Sequence, residues 1–336
     1  MEAALQQEKS LREILATAYN DLGTAEARQK DFVHAADYFQ QAEKWNPEIP
    51  GLTRNLGLAA AKINDHETAI RALSKQLHAD PNDNVVRALL GISLFMSEKF
   101  ADAASTIAPL GELAARDPAL AYPWAASLAR QGKLKESAAV AERVEKEQLA
   151  PEHWLLLAQL WTDLGDSDHA VADYRRALAI DPALRYAHYK AGLVWLRSGK
   201  PADAQKEFEA ELANYPDDAN TRYNLGFAHL QQGQNDPARE MFEGVIARDP
   251  NHANAQYQLG KMLLDSGQVR SAIEHLEAAA RLSPEIDYIH YQLQVAYRKD
   301  DRVADAEREL QIYKDVKARN RDKQLPQPNT ETVQRP

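Results

Sequence analysis

Residues 151–184 read PEHWLLLAQLWTDLGDSDHAVADYRRALAIDPAL. Trp154, Leu157, Ala158 and Trp161 recur at three- and four-residue steps, so the first half predicts a helix with one apolar face. Gly165-Asp166 interrupts it, because glycine takes turn conformations at little steric cost. A second helix carries Ala170, Tyr174 and Ala177 on its apolar face. Asp181-Pro182 closes it, since proline has no N–H to donate and drives its predecessor out of helical backbone. Small residues at Ala158 and Ala170 let the two helices approach closely, and the aromatics reach beyond the hairpin. One such hairpin cannot bury its apolar face alone, so copies of it must stack.

The copies are legible outward from this stretch. Ala35, Ala69, Ala103, Ser137, Ala170, Ala204, Ala238, Ala272 and Ala306 stand 34 residues apart, with a single step of 33. A period of that length, kept through most of the chain, predicts an all-α solenoid of about nine helical hairpins rather than a globular enzyme core.

Composition narrows the ligand. A net charge of −10 argues against a nucleic-acid backbone, which needs basic surface. No stretch approaches the length of a membrane-spanning helix, and residues 1–15 are too charged for a signal peptide. The absence of cysteine removes disulfides, thiol nucleophiles and thiolate metal sites together. The compartment stays open: cytoplasmic if Met1 is the true start, periplasmic if a signal peptide has been removed.

The hairpin resembles the tetratricopeptide repeat, which reads W-x2-L-G-x2-Y, then A-x3-F, then a closing proline. The first unit has Tyr19, Leu22, Gly23, Ala35, Phe39, Ala42 and Pro47, and the second Leu56, Gly57, Ala69, Leu73 and Pro81. Gly192, Trp195, Ala204, Phe208 and Pro216 form the sixth; Leu225, Gly226, Ala238, Phe242 and Pro250 the seventh. The eighth has Leu259, Gly260, Ala272, Leu276, Ala279 and Pro284, and the ninth Leu293, Tyr297, Ala306 and Leu310. The resemblance implies a right-handed superhelix in which the first helix of each hairpin lines a concave face. It also implies a non-enzymatic scaffold or adaptor that holds a segment of another protein in that groove.

The third and fourth units fit poorly. Pro109 and Gly111 fall where a second helix should continue, so residues 109–122 are expected to form a broken helix and a long connection. The expected organisation is a helical extension over 1–15, three hairpins over 16–117, six over 118–320, an irregular junction near 109–123, and a disordered tail over 321–336. The helix beginning at Val85 is apolar almost all round, so Leu89, Ile92 and Met96 are either buried by a bend or offered to a partner.

Carried onto this chain, the groove positions of peptide-binding relatives give a tyrosine at the fifth place of four successive units: Tyr189, Tyr223, Tyr257 and Tyr291. The second place reads Tyr186, Asn220, Asn254 and Tyr288, and the sixth Lys190, Asn224, Gln258 and Gln292. Amides donate to and accept from a peptide backbone at once, and tyrosine offers a large contact with two torsions to freeze. At these positions Lys190, Arg197, Lys261, Arg298 and Lys299 face Asp265 alone, so an acidic or carboxylate-bearing peptide is expected. The groove that clamps chaperone termini needs a basic and amide set, for which Asn20, Thr24, Asn55, Val85 and Leu89 supply only the asparagine of the second unit.

Nothing in the sequence looks catalytic. His66-Glu67 lacks the second histidine of a helical zinc site, and no phosphate loop or nucleophile elbow is present. No cofactor or metal is implied. His188, His229 and His290 occupy hairpin-core places, the Asp-Pro pairs at 80–81, 117–118, 181–182 and 249–250 read as helix ends, and Glu207, Glu209 and Glu211 read as a solvated face. The expected partner is another protein or peptide, not nucleic acid or a membrane interior, and self-association stays open. Alternatives are an envelope assembly factor with a periplasmic address or the regulatory array of an enzyme complex.

Overall fold

A computed structural model describes residues 2–324; of the tail expected over 321–336, residues 321–324 continue the helix Val303–Gln324, and 325–336 lie outside the described residues. The chain forms two compact units that part between Pro182 and Ala183. The first is built from the helix pairs Glu2–Arg28 with Phe32–Trp45, Leu52–Lys62 with His66–Ala79, Asn84–Met96 with Phe100–Ile107, Pro118–Arg130 with Leu134–Val144, and Pro151–Leu164 with Ser167–Ile180. The second holds Ala187–Arg197 with Pro201–Asn214, Ala219–Gln231 with Asn235–Arg248, Ala253–Asp265 with Val269–Leu282, and Asp287–Lys299 with Val303–Gln324. Each unit is an α-solenoid of antiparallel hairpins, without a β-strand among the described residues.

The regular alanines are the places of closest helix approach. Each of the nine is at most 1 % exposed, including the one serine, whose Oγ donates to the Ala125 carbonyl at 2.8 Å. Burying a hydroxyl without a partner would cost free energy, and this bond removes that cost. Hairpin turns keep the same register. Lys30, Asn64, Glu98, Gly132, Gly165, Gly199, Gly233, Gly267 and Asp301 all have φ between 58° and 81°. One left-handed residue reverses the chain, and the next helix is often capped by an acid: Asp31, Asp65 and Asp166 accept the N–H of His34, Thr68 and His169.

The irregular stretch lies inside the first unit and is shorter than the sequence suggests. The helix Phe100–Ile107 ends in a 3₁₀ turn at Ala108–Leu110, Gly111 turns at φ 53°, and Glu112–Arg116 adds a short helix. Helix resumes at Pro118 and not after Tyr122, because Asp117 caps it through the Ala119 N–H (2.9 Å) and proline suits a first turn. The Asp117-Pro118 pair therefore also opens a helix. Pro123 sits inside that helix, buried, which reading prolines as breakers missed.

Asp173 is fully buried on the helix Ser167–Ile180. Its Oδ1 accepts from Arg176 at 2.6 Å, its Oδ2 meets no donor, and Arg176 also reaches Glu145 at 2.9 Å. Burial, reinforced by the charge of Glu145 and opposed by Arg176 and His169, pushes the Asp173 carboxyl up to about 7. Raised above its unfolded value, this group contributes stability that is whole below about pH 4 and is lost as pH rises toward about 7.

Two stability measurements follow from these environments. Glu98→Gly relieves a left-handed backbone that costs non-glycine residues about 1 kcal/mol, so the denaturant midpoint should rise correspondingly; no change or a fall would contradict that. Asp173→Asn should stabilise by roughly 1–3 kcal/mol at pH 8 and far less at pH 4, flattening the profile of midpoint against pH; equal shifts at both pH values would show that the carboxyl does not titrate as described.

Candidate functional site

The tyrosines of the second unit stand on the first helices of its four hairpins. Tyr189 leans on Phe208 (centroids 6.1 Å), Tyr223 on Phe242 (5.6 Å) and Tyr291 on Tyr313 (5.5 Å). Each ring is thus backed by the second helix of its own hairpin. Contacts also run from one hairpin to the next: Asn224 Nδ2 lies 3.4 Å from the Tyr189 hydroxyl, Gln258 faces the Tyr223 hydroxyl, and Tyr257 meets Tyr288 edge-on at 4.9 Å. The result is a continuous row of rings and amides. Burial raises the hydroxyl pKa of Tyr189, Tyr223 and Tyr257, keeping them protonated donors.

The expected site residues differ in availability. Tyr186, Asn220, Asn254, Lys261, Tyr288 and Tyr291 are exposed; Tyr189, Lys190, Tyr223, Asn224, Tyr257, Gln258 and Gln292 are half-buried. Asn224 is already engaged, since it also donates to the Asn220 carbonyl at 2.8 Å. It orients Tyr189 as much as it could serve a ligand. His252 caps the helix Ala253–Asp265 through the Ala255 N–H and stacks on Tyr223 at 5.1 Å, a contact the sequence reading did not include.

Tyr186 opens the row in a left-handed conformation (φ 67°), which is rare for a bulky residue. Glu211 explains how it is held. That carboxylate, 1 % exposed, accepts the N–H of Tyr186 (2.8 Å) and of Tyr189 (3.2 Å). It fills the capping role at the start of the helix Ala187–Arg197. Glu211 is therefore not solvated, and neither is Glu207, whose Oε2 lies 2.7 Å from His188 Nδ1 with both side chains largely buried. A signal was present: Glu211 stands in the register of Ala177, Val245 and Ala279, which are buried and apolar. Arg185 stacks between Tyr186 (4.8 Å) and Tyr215 (5.4 Å), whose hydroxyl donates to the Ala183 carbonyl at 2.6 Å.

The first helices that carry this row also carry cations. Lys190, Arg197, Lys261, Arg298 and Lys299 form no ion pair among the described residues. Elsewhere in the same unit, Lys206, Arg239, Arg248 and Arg302 each lie beside a carboxylate. The core histidines are engaged with the protein: His290 Nδ1 is 2.7 Å from Glu309 and its Nε2 3.0 Å from the Pro284 carbonyl, and His229 Nδ1 is 2.6 Å from Gln234. No group of three metal-ligating side chains occurs among the described residues, and no described helix is long and apolar enough to cross a membrane.

The first unit has a surface of opposite character. Leu89 and Ile92 line a cleft of about 680 Å³ together with Leu58, Val85, Leu110 and Leu113. Leu110 and Leu113 belong to the 3₁₀ turn and short helix, so the irregular stretch supplies part of the wall. Met96, grouped with Leu89 and Ile92 from the sequence, is exposed but lies outside the cleft.

Two families described as Tetratricopeptide repeat match the chain, one over residues 20–84, 122–184 and 257–315 and the other over 195–261. Residues 85–121, which contain the irregular stretch, fall outside both. Similar solved structures include residues 41 to the end of MamA from Desulfovibrio magneticus RS-1, at 24 % identity, covering 51 % of this chain and 97 % of that one with a TM-score of 0.44. YrrB, described as a TPR protein with an unusual peptide-binding site, has 22 % identity over 52 % of this chain and 91 % of its own, TM-score 0.43. The Cut9-Hcn1 hetero-tetramer of APC/C has 16 % identity over 79 % of this chain and 52 % of its own, TM-score 0.45. No curated protein matches the chain.

Removal of the capping carboxylate tests how the row is held. Glu211→Ala should cost about 1–3 kcal/mol of stability and speed amide exchange at Tyr186 and Tyr189, with Glu211→Gln intermediate. Unchanged protection of both amides in the alanine variant would remove the capping role.

Proposed function

This chain belongs to the tetratricopeptide repeat family, and from that premise we propose that it is a non-enzymatic scaffold whose second unit holds an extended acidic segment of another protein along the tyrosine–amide row. The observation that carries the reading is the set of five cations without an ion pair on the first helices that also bear the tyrosine–amide row. Cations without a carboxylate neighbour keep their full attraction for an incoming anionic chain, and at moderate ionic strength they steer its approach. The rings are backed by Phe208 and Phe242, so little further motion is frozen when a ligand lies on them. Hydroxyls kept protonated can donate to ligand carbonyls or carboxylates.

The division of labour is direct. Lys190 and Lys261 supply charge, Tyr223 and Tyr257 supply contact area, and Asn220 and Asn254, both exposed, pair with the ligand backbone. A free carboxylate at the end of the segment would find Arg298 and Lys299 side by side at the close of the helix Asp287–Lys299.

Fluorescence anisotropy with matched labelled peptides, one rich in Asp and Glu and one rich in Lys and Arg, tests this reading. The acidic peptide should bind with an affinity that falls as salt rises. Tyr223→Ala and Tyr257→Ala should each cost about 1–3 kcal/mol of binding, and the double change Lys190→Glu, Lys261→Glu should abolish the preference. Equal binding of both peptides, or loss of affinity only in variants that unfold, would overturn it.

A further inference from the structure

The helix Glu2–Arg28 has 27 residues, whereas the first helices of other hairpins have between 11 and 14. One face packs in its own hairpin: Ala16 is buried, Gly23 abuts Phe39, and Tyr19 stacks on Tyr38 at 6.3 Å. A different face is bare. Leu11 is 55 % exposed, Leu15 39 % and Leu22 46 %; Ala18 is exposed between them, and Ile14 flanks the stripe.

The 34-residue register shows that this face is abnormal. Leu56, Leu90, Leu225, Leu259 and Leu293, which stand in the register of Leu22, are each at most 5 % exposed. Leu52 and Val86, in the register of Ala18, are at most 1 % exposed. In later hairpins the second helix of the preceding hairpin packs against the next first helix, as Phe32–Trp45 does on Leu52–Lys62. The stripe on Glu2–Arg28 has no such neighbour among the described residues. A first-helix face with nothing packed on it is ordinarily polar. Leucines in that place call for a cover.

We propose that the cover is the same helix of a second copy, packed antiparallel about a two-fold axis. Leu11, Leu15, Ala18 and Leu22 are spaced four, three and four residues apart, the alternating steps of a two-helix seam. That spacing reads the same in both directions, as a two-fold interface requires. Antiparallel pairing centred between Leu15 and Ala18 sets Leu11 over the other copy's Leu22 and Leu15 over its Ala18, a large side chain against a small one. Such a contact covers on the order of 500 Å² per copy, below the roughly 800 Å² per partner of a standard interface, so the dimer dissociates in the micromolar-to-millimolar range. Pairing also supports the part of the helix before Ala16, since an isolated helix that short is marginal in water.

The chain has no cysteine, so the seam can be tested with single thiols. Leu11→Cys and Leu22→Cys proteins, mixed in equal amounts and mildly oxidised, should cross-link to each other, while neither cross-links alone. Sedimentation equilibrium of the unmodified chain should show a monomer–dimer equilibrium, weakened at least ~10-fold in a Leu15→Glu variant whose far-ultraviolet circular dichroism is unchanged. A monomer at all concentrations up to ~0.5 mM, cross-linking of Leu11→Cys with itself, or preferred cross-linking to a Leu89→Cys protein would overturn the proposal; the last would place the stripe in the apolar cleft of another copy.

Discussion

The structure depends on one close approach, made by a glycine in six of the hairpins: Gly23, Gly57, Gly91, Gly192, Gly226 and Gly260. A Cβ added at Gly192 would lie 2.5 Å from the Phe208 ring, one at Gly226 2.9 Å from Phe242, and one at Gly260 2.8 Å from Leu276. Glycine and the large residue sixteen positions later thus occupy one another's space, and only the missing side chain lets the helices meet. The alanine four residues before that large residue is buried for the same reason. With two small residues fixed at the crossing, the turn between the helices has a set length, and one left-handed residue closes it each time. Repetition of this crossing sets the 34-residue step, and everything exposed inherits the step.

Beside the crossing runs a second tier that the sequence reading took partly for solvent-facing surface. In several hairpins one first-helix residue in the 34-residue register meets the residue nineteen positions later. His188 meets Glu207, His290 meets Glu309, and His275 Nδ1 lies 2.6 Å from Gln256 Oε1. Where Trp154 holds this place, Arg176 lies over its ring at 4.8 Å and the partner position is the buried Asp173. Polar residues are admitted here because the pairing satisfies them; a lone buried donor or acceptor would cost about 1–3 kcal/mol. Asp173, with one oxygen unserved, and Arg222, whose buried Nε has no partner, are incomplete cases; burial and the charge of Glu145 raise the Asp173 pKa.

The fold was legible because its determinants are periodic and local. Alanines, turn residues and closing prolines each repeat at the same interval, so a single well-formed stretch at 151–184 interprets the rest. The departures were less legible because they depend on contacts between helices. Glu211 looks like one of several exposed acids until its position in the register is compared with Ala177, Val245 and Ala279, all buried. Pro123 looks like a breaker, yet the cap at Asp117 starts the helix five residues earlier. The tyrosines were found from the register alone, whereas the tie between Asn224 and Tyr189 needed the distance between neighbouring hairpins.

The two units show how the same crossing can carry unlike surfaces. Crossing residues are internal, so first-helix positions facing outward are free to vary without loss of packing. In the second unit they are tyrosine, amide and cation. In the first, Val85, Leu89 and Ile92 are apolar, and the turn around Pro109 and Gly111 brings Leu110 and Leu113 to the same cleft. A regular hairpin would have continued the helix through residue 109, and its side chains would have followed the common register. The break in the repeat is therefore also the source of that cleft's distinct chemistry, and repeat irregularity here changes the surface while the small residues at the crossings on either side, Gly91 with Ala103 and Ala125 with Ser137, stay buried.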